Sequence, residues 1–438
     1  YPCVEAGSIH PGGGRLGDLS IMNIQVEQAC PQCGGSVTLS VEDRLLTCPY
    51  CKVKSFLQTS GAFRYALPDK VVPKKRDQLL YAPYLRFKGT IFTVSESGIA
   101  HKVLDTTQDA CPHPGLPPSL GLRPQAMKLV RIHKESKGRF LPLTLNIQEI
   151  LQKAARIHSM SKQEKESLYH RAYIGETLSY IYLPLLPRED GVFDAVRGEA
   201  LAGAKTEAVQ SLQSTGFRPH WQMNFLATLC PRCGWNLDGE GDCLVLKCSN
   251  CDTAWMIGAK GLRQTPCSMF PGPAETALYL PFWRITVHLS AVKIQSFADF
   301  IRRTNQPLVP QKAWEQQAMQ FWIPAFKLRP KIFLRTAKQA TVSQWRLIRE
   351  QQEKELQVQP NMYPVTLPLS EAKQSLKVVL AESATNKRKI YPSLPALQPQ
   401  VLSSSLVFLP FKDRQHDWVQ IPGGTVIPKS VLYFGRSL

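Results

Sequence analysis

Cys30-Pro31-Gln32-Cys33-Gly34 … Cys48-Pro49-Tyr50-Cys51 decides how this chain is read, because it returns as Cys230-Pro231-Arg232-Cys233-Gly234 … Cys248-Ser249-Asn250-Cys251. Both stretches read C-x2-C-x14-C-x2-C, and they lie 200 residues apart. Two thiols separated by two residues fit one tight turn, so each pair offers two ligands to one ion. Four thiolates suit a tetrahedral, borderline-soft metal, and Zn2+ is the common occupant of a closed four-cysteine site. The expectation is two structural Zn2+ ions per chain, one on Cys30, Cys33, Cys48 and Cys51 and one on Cys230, Cys233, Cys248 and Cys251. Cysteine fills every position and leaves no open coordination site, which argues against a catalytic zinc.

Gly34 and Gly234 directly follow the second cysteine of each first pair. A residue tolerant of positive φ there lets the backbone fold around the ion. Ser36-Val37-Thr38-Leu39-Ser40-Val41 alternates like a strand, Glu42-Asp43-Arg44 turns, and Leu45-Leu46-Thr47 returns to the second pair. In the second copy Asp238-Gly239-Glu240-Gly241-Asp242 turns and Cys243-Leu244-Val245-Leu246-Lys247 returns. The pattern resembles the zinc-ribbon family of rubredoxin-like and transcription-factor-B-type knuckles, over residues 30–57 and 230–257. That resemblance implies a metal-stabilised β ribbon and no particular process. Rubredoxins, which carry electrons on iron, keep a much longer insert between their cysteine pairs, so zinc is favoured over iron.

The 438 residues, 43% of them hydrophobic, are enough for two to four domains with sizeable cores. Beyond the eight expected ligands stand Cys3, Cys111, Cys243 and Cys267, scattered and without framework spacing. Thiolate sites with few spare cysteines fit a reducing, cytoplasmic compartment. The chain starts at Tyr1 rather than Met, which leaves the true N-terminus open, and no signal peptide is visible. No apolar run reaches the length of a membrane span; Trp283 to Ala291 is interrupted by Arg284 and His288. A net charge of +19 favours anionic partners: nucleic acid, an anionic membrane surface or the acidic face of a protein. The same excess also fits a basic surface without a partner.

Along the chain, residues 1–20 read as a Gly- and Pro-rich flexible lead and Ile21 to Gln28 as a strand entering the first ribbon. Leu80 to Val94 is strand-like, turning at Ser97-Gly98 into Ile99–Leu104. A loop with five prolines spans 109–125, and Met127 to Ile132 is a strand. Ile147 to Ser159 is helical, Ser179 to Leu186 and Gly191–Val196 are strands, and Glu199–Leu212 is a helix.

The second half repeats this order. Leu278 to Ile285 answers Leu80 to Phe87, and Pro324–Leu328 answers Gln125–Leu129. Pro364–Leu367 answers Pro142–Leu145, Val407–Phe411 answers Tyr182–Leu185, and Trp418-Val419 answers Val192-Phe193. Extra helical material is expected at Ala340–Gln357. The fold class is therefore α+β, in two tandem modules related by internal duplication. The domains are a lead and first strand over 1–29, ribbon one over 30–57, an α+β module over 58–216, ribbon two over 217–257, and a second α+β module over 258–438. A pseudo-two-fold packing of the halves is expected.

The Leu-Pro-aromatic strands read as sheet core in preference to stacking platforms for bases. Lys327, Arg329 and Lys331, spaced at strand period, form either an anion-binding stripe or a solvated face. Lys387-Arg388-Lys389 sits in an expected loop. No G-x-S-x-G, phosphate-cradling Gly loop or H-E-x-x-H occurs. Cys111-Pro112-His113 is a poor nucleophile pair because adjacent residues seldom face each other, and His158 and His170 lack ligand spacing.

Cys30–Cys51 with Leu80–Phe87, and Cys230–Cys251 with Leu278–Ile285, resemble a group of bacterial zinc-ribbon proteins in which a ribbon precedes an α+β region. Some members of that group carry membrane segments or act beside membrane-remodelling proteins; this chain shows no span and doubles the unit. The resemblance implies a non-enzymatic adaptor and carries over no catalytic residue. The expected function is a zinc-stabilised scaffold docking onto a larger protein assembly through an acidic face of its partners, cytoplasmic or at a membrane only through those partners. The alternative is a nucleic-acid-binding protein using ribbons and basic stripes.

Overall fold

The computed structural model describes residues 24–147, 149–153, 167–258, 261–273, 276–350 and 352–435. The Gly-rich lead, Cys3 and His158 lie outside the described residues, as does the expected helix beyond residue 153.

Strands dominate, with helices set against them. The first half contributes β1 (Gln25–Ala29), β2 (Ser36–Ser40), β3 (Leu45–Thr47), β4 (Lys54–Gln58), β5 (Phe63–Ala66), β6 (Leu80–Ser95), β7 (Gly98–Asp109), β8 (Leu129–Arg131), β9 (Arg139–Phe140), β10 (Leu168–Arg188), β11 (Gly191–Asp194) and β12 (Glu199–Ala200). The second contributes β13 (Asn224–Ala227), β14 (Val245–Cys248), β15 (Thr253–Gly258), β16 (Gly261–Gln264), β17 (Cys267–Met269), β18 (Thr276–His288), β19 (Gln320–Pro324), β20 (Lys354–Glu355), β21 (Gln400–Arg414), β22 (Asp417–Gln420) and β23 (Val426–Pro428). A ten-stranded mixed sheet gathers β1, β2 and β5 to β12, and a seven-stranded one gathers β17 to β23. Two three-stranded sheets, β13-β4-β3 and β14-β15-β16, belong to the cysteine regions.

The halves pair their longest strands in matching registers. β6 runs antiparallel to β10 with Tyr81 opposite Pro184 and Pro83 opposite Tyr182. β18 runs antiparallel to β21 with Tyr279 opposite Pro410 and Pro281 opposite Phe408. Each pair carries a parallel strand: β5 sets Ala66 beside Tyr182, and β17 sets Met269 beside Phe408. The next amides, of Leu67 and Phe270, donate to the carbonyls of Tyr182 and Phe408, both at 3.0 Å. Ala110 and Ala325 donate to Pro83 and Pro281, again both at 3.0 Å. Thr144 and Thr366 then donate to Ala110 and Ala325. These bonds support the pairing of Leu278–Ile285 with Leu80–Phe87, of Pro364–Leu367 with Pro142–Leu145, and of Phe408–Phe411 with Tyr182–Leu185. Val192 and Trp418 likewise sit at like positions, opposite Pro187 and Asp413. With the two similar cysteine groups, this suggests duplication.

Several local expectations are corrected. Pro324–Leu328 does not match Gln125–Leu129. Ala325 takes the place of Ala110, while Ala126 closes a short helix, Arg123–Ala126. Lys128-Leu129 and Lys327-Leu328 share residues without sharing a structural position. Glu199–Leu212 is not one helix. Gly198 and Gly203, at φ 81° and 80°, turn the chain, leaving β12 and the short helix Thr206–Gln210. The strand begun at Ser179 in fact starts at Leu168, because β6 is long enough to pair with it past a bulge between Ile174 and Thr177. The extra helical material is present as Pro330–Glu350, beginning ten residues before Ala340. That early start removes the strand-period stripe: Pro330 opens the helix, so Lys327 and Arg329 leave from a loop and Lys331 from the first turn.

The far ends of β6 and β10 enter the second half. Phe92, Val94, Ala172 and Ile174 join its core, with the Phe92 ring 6.3 Å from that of Phe333. The Gly175 amide donates to Glu371 on the helix Leu369–Ser383, and Lys327 Nζ donates to Thr177 Oγ1 at 3.4 Å. Burying so many apolar side chains at about 25 cal/mol per Å2 makes this junction a part of the core. No described helix is long and apolar enough to cross a membrane.

Candidate metal centres

Each cysteine group is built by one knuckle turn and one strand-end turn. Cys30 N–H donates to the carbonyl of residue 35 and Gly34 N–H to Cys30, at 2.8 and 2.9 Å. In the second copy Cys230 and Gly234 make the same bonds, both at 2.8 Å. Gly34 and Gly234 take φ of 73° and 74°, the left-handed turn that the sequence implied. The second knuckles mirror each other too, with Lys52 at φ 61° and Asp252 at φ 52° one residue after the last cysteine.

The sulfurs converge. Cys30 and Cys51 Sγ stand 3.6 Å apart, as do Cys33 and Cys48. Cys230 and Cys251 are at 3.6 Å, and Cys233 and Cys248 at 3.5 Å. Within each group all four sulfurs lie within 4.8 Å of one another. A disulfide needs about 2.05 Å, so these are unbonded thiols. A tetrahedral ion with ligand distances of ~2.3 Å sets its sulfurs roughly 3.8 Å apart. Each tetracysteine group can therefore hold a metal ion at its centre. The amides of Cys51 and Tyr50 lower the pKa of Cys48 to about 6, while at Cys51, against the pull of the Val53 amide, burial and the neighbouring thiols raise it to about 12. Thr253 was not foreseen as part of a site. Its hydroxyl lies 3.1 Å from Cys251 Sγ and accepts the Trp255 indole N–H at 2.9 Å. Only the position just past the knuckle hinted at it.

The two centres are physically joined. β13, which leads into the second group, pairs antiparallel with β4, which leaves the first. The amides of Arg44 and Leu45 both donate to Gly241, at 2.6 and 2.9 Å. Leu45 and Phe56 pack with Cys230, Leu246, Cys248 and Trp255. This contact does not follow the expected two-fold. Its mirror image would pair β1 with β15, whereas β15 pairs with β14 and β16. The junction is head-to-tail.

The other residues singled out from sequence fall elsewhere. Tyr84, Phe87, Phe282 and Trp283 are buried in sheet cores, so they present no ring to a base. Cys111 is buried and its thiol is pushed up by that burial, while His113 turns its ring to the Pro114 carbonyl, so the two form no nucleophile pair. Cys243 and Cys267 are pushed up to about 12, again by burial. Lys387-Arg388-Lys389 opens a short helix, Lys387–Ile390, rather than a loop. Arg329 and Lys331 are exposed, but Lys327 is half-buried and burial lowers its pKa. No protein-family model matches the chain, nor does any curated protein or solved structure.

His170 gives the structure a pH signature. Burial on β10, with Lys377 nearby, lowers its pKa from 6.5 to about 4. The unfolded chain then binds more protons than the folded one between those values, so stability is full above pH 6.5 and falls toward pH 4. His170→Gln is expected to flatten the urea-unfolding free energy between pH 7 and 5 by on the order of 1 kcal/mol relative to wild type. An unchanged slope would show that the imidazole is solvated.

Proposed function

We propose that the chain is a non-enzymatic scaffold of two duplicated modules, each a zinc ribbon followed by an α+β unit, that holds partners of a larger protein assembly. The observation that carries this reading is the joining of two four-cysteine groups through the pairing of β4 with β13. A closed tetrathiolate site offers no coordination position for substrate, so zinc there serves architecture. Tyr50, in the second knuckle of the first group, and Trp235, just after the first knuckle of the second, stand 68% and 56% exposed. Large aromatics held on rigid turns are effective anchors for a partner. Duplication supports the same reading, since two linked contacts act through effective concentration. The +19 charge steers the chain toward acidic surfaces.

The test is a pair of variants, Tyr50→Asp and Trp235→Asp, in chain purified under native conditions with its bound proteins. Partners retained at about 0.5 M salt and lost in both variants, with metal content unchanged, support the scaffold. Binding that collapses with salt and is competed by RNA or DNA selects the nucleic-acid reading instead.

A further inference from the structure

The face of the ten-stranded sheet beneath the first ribbon collects cations that its own acids do not match. Arg86 on β6 lies opposite Ser179 on β10, Ser179 lies beside Phe63 on β5, and Tyr65 lies opposite Arg131 on β8. All five therefore project from one face. Arg44 comes down on them from the ribbon, its guanidinium 4.3 Å from the centre of the Phe63 ring. Arg131 lies 5.4 Å from the same ring and 5.5 Å from that of Tyr65. Arg86, Arg131 and Ser179 are only 2%, 8% and 1% exposed. Arg44 Nη1, Arg86 Nη1, Arg131 Nε and Ser179 Oγ are buried without a hydrogen-bond partner.

The carboxylates nearby are engaged. Asp105 takes Arg86 in a two-point contact at 2.8 and 2.7 Å. Glu42 is held by Lys88 at 2.6 Å, and Asp43 accepts the Ser40 amide at 2.7 Å. Arg131 Nη1 reaches only the Met223 sulfur. Among the described residues no carboxylate forms an ion pair with Arg44 or Arg131. The Phe63 and Tyr65 rings, and for Arg44 the charges of Glu42 and Asp43, offset these buried cations in part, and an ion-paired anion would offset them further.

The second half arranges the corresponding positions differently. By register, Arg284, Ser405 and Ser268 stand where Arg86, Ser179 and Tyr65 stand. There Arg284 Nε donates to Ser405 Oγ at 3.2 Å. The Glu353 carboxylate accepts from Arg284 at 2.5 and 2.9 Å and from Ser268. In the second half one carboxylate, Glu353, spans Arg284 and Ser268; in the first, Asp105 on β7 takes Arg86, and no carboxylate forms an ion pair with Arg44 or Arg131 among the described residues. We propose that the first half binds a small tetrahedral oxyanion of the phosphate or sulfate class, held by Arg44 and Arg131 with Arg86 and Ser179 beside them. Guanidinium donors match such oxygens in geometry and charge. Because Arg44 belongs to the ribbon and Arg131 to the sheet, the ion clamps one to the other.

The experiment uses the full, metal-loaded chain exchanged into chloride buffer. Ion chromatography after denaturation reads any retained anion. Phosphate, sulfate and glycerol phosphate are then each titrated at constant ionic strength while Tm is followed. About one retained equivalent, or a saturable Tm rise of about 3 °C or more, is expected. Inorganic ions acting alone identify a free oxyanion, and glycerol phosphate acting as well identifies a phosphate monoester site. Arg131→Met should abolish the response with metal content unchanged, and Arg284→Met should keep it. Should Arg131→Met fail to fold, wild type against Arg284→Met decides. No retained anion and no saturable rise in wild type overturns the proposal, as does an undiminished response in Arg131→Met.

Discussion

Cys48→Ser is expected to strip the first centre of its metal and to unfold residues around it. Cys48 is fully buried at the meeting point of β3 and the second knuckle. Structural zinc sites contribute apparent free energies of about 10 kcal/mol or more to folding at neutral pH, so one lost ligand outweighs the few interactions a ribbon makes. The damage should spread. Leu45 and Phe56 of the first ribbon pack on Cys230 and Trp255 of the second, and β4 carries β13. The expected readout is a fall from two bound metals to one or none, with new protease cleavage between residues 41 and 58 and increased hydrogen exchange in β13. Retention of both metals with unaltered proteolysis would show that this thiol is not a ligand.

Trp283→Ala is expected to destabilise the second half by about 4 kcal/mol, the range for deleting a large buried aromatic. Its side chain is 1% exposed, and its indole N–H donates to the Leu367 carbonyl at 2.9 Å. The substitution leaves a cavity and an unpaired carbonyl together. Urea unfolding followed by circular dichroism measures the loss. A change below about 1 kcal/mol, with reduced nucleic-acid affinity in its place, would restore the base-stacking reading of these strands.

The cysteine centres were legible because their chemistry is local. Spacing and a glycine after Cys33 and Cys233 specify a knuckle without reference to the rest of the chain. The strands Leu80–Ser95 and Thr276–His288 were legible too, since aromatic and β-branched residues suit a pleated, buried surface. What failed depended on long-range partners. The helix Pro330–Glu350 was read partly as strand because Lys327, Arg329 and Lys331 alternate, and period-2 spacing over three residues cannot tell a loop leading into a helix from a strand. The part of Leu168–Arg188 before Ser179 is illegible in sequence because β6 alone pairs with it, a partner fixed only in the folded chain. The head-to-tail joint of β4 and β13 left no trace in either strand alone. Nor did the correspondence of Arg86 with Arg284, each paired with a carboxylate, which emerges only when the two halves are placed in register.

The most direct test of the account is elemental analysis of the purified chain, combined with titration of its reactive thiols under native conditions. Two equivalents of zinc per chain, with the eight cysteines of the two groups protected until a chelator is added, is the predicted result. Less than one equivalent of metal, chiefly iron, or eight freely reactive thiols would contradict it.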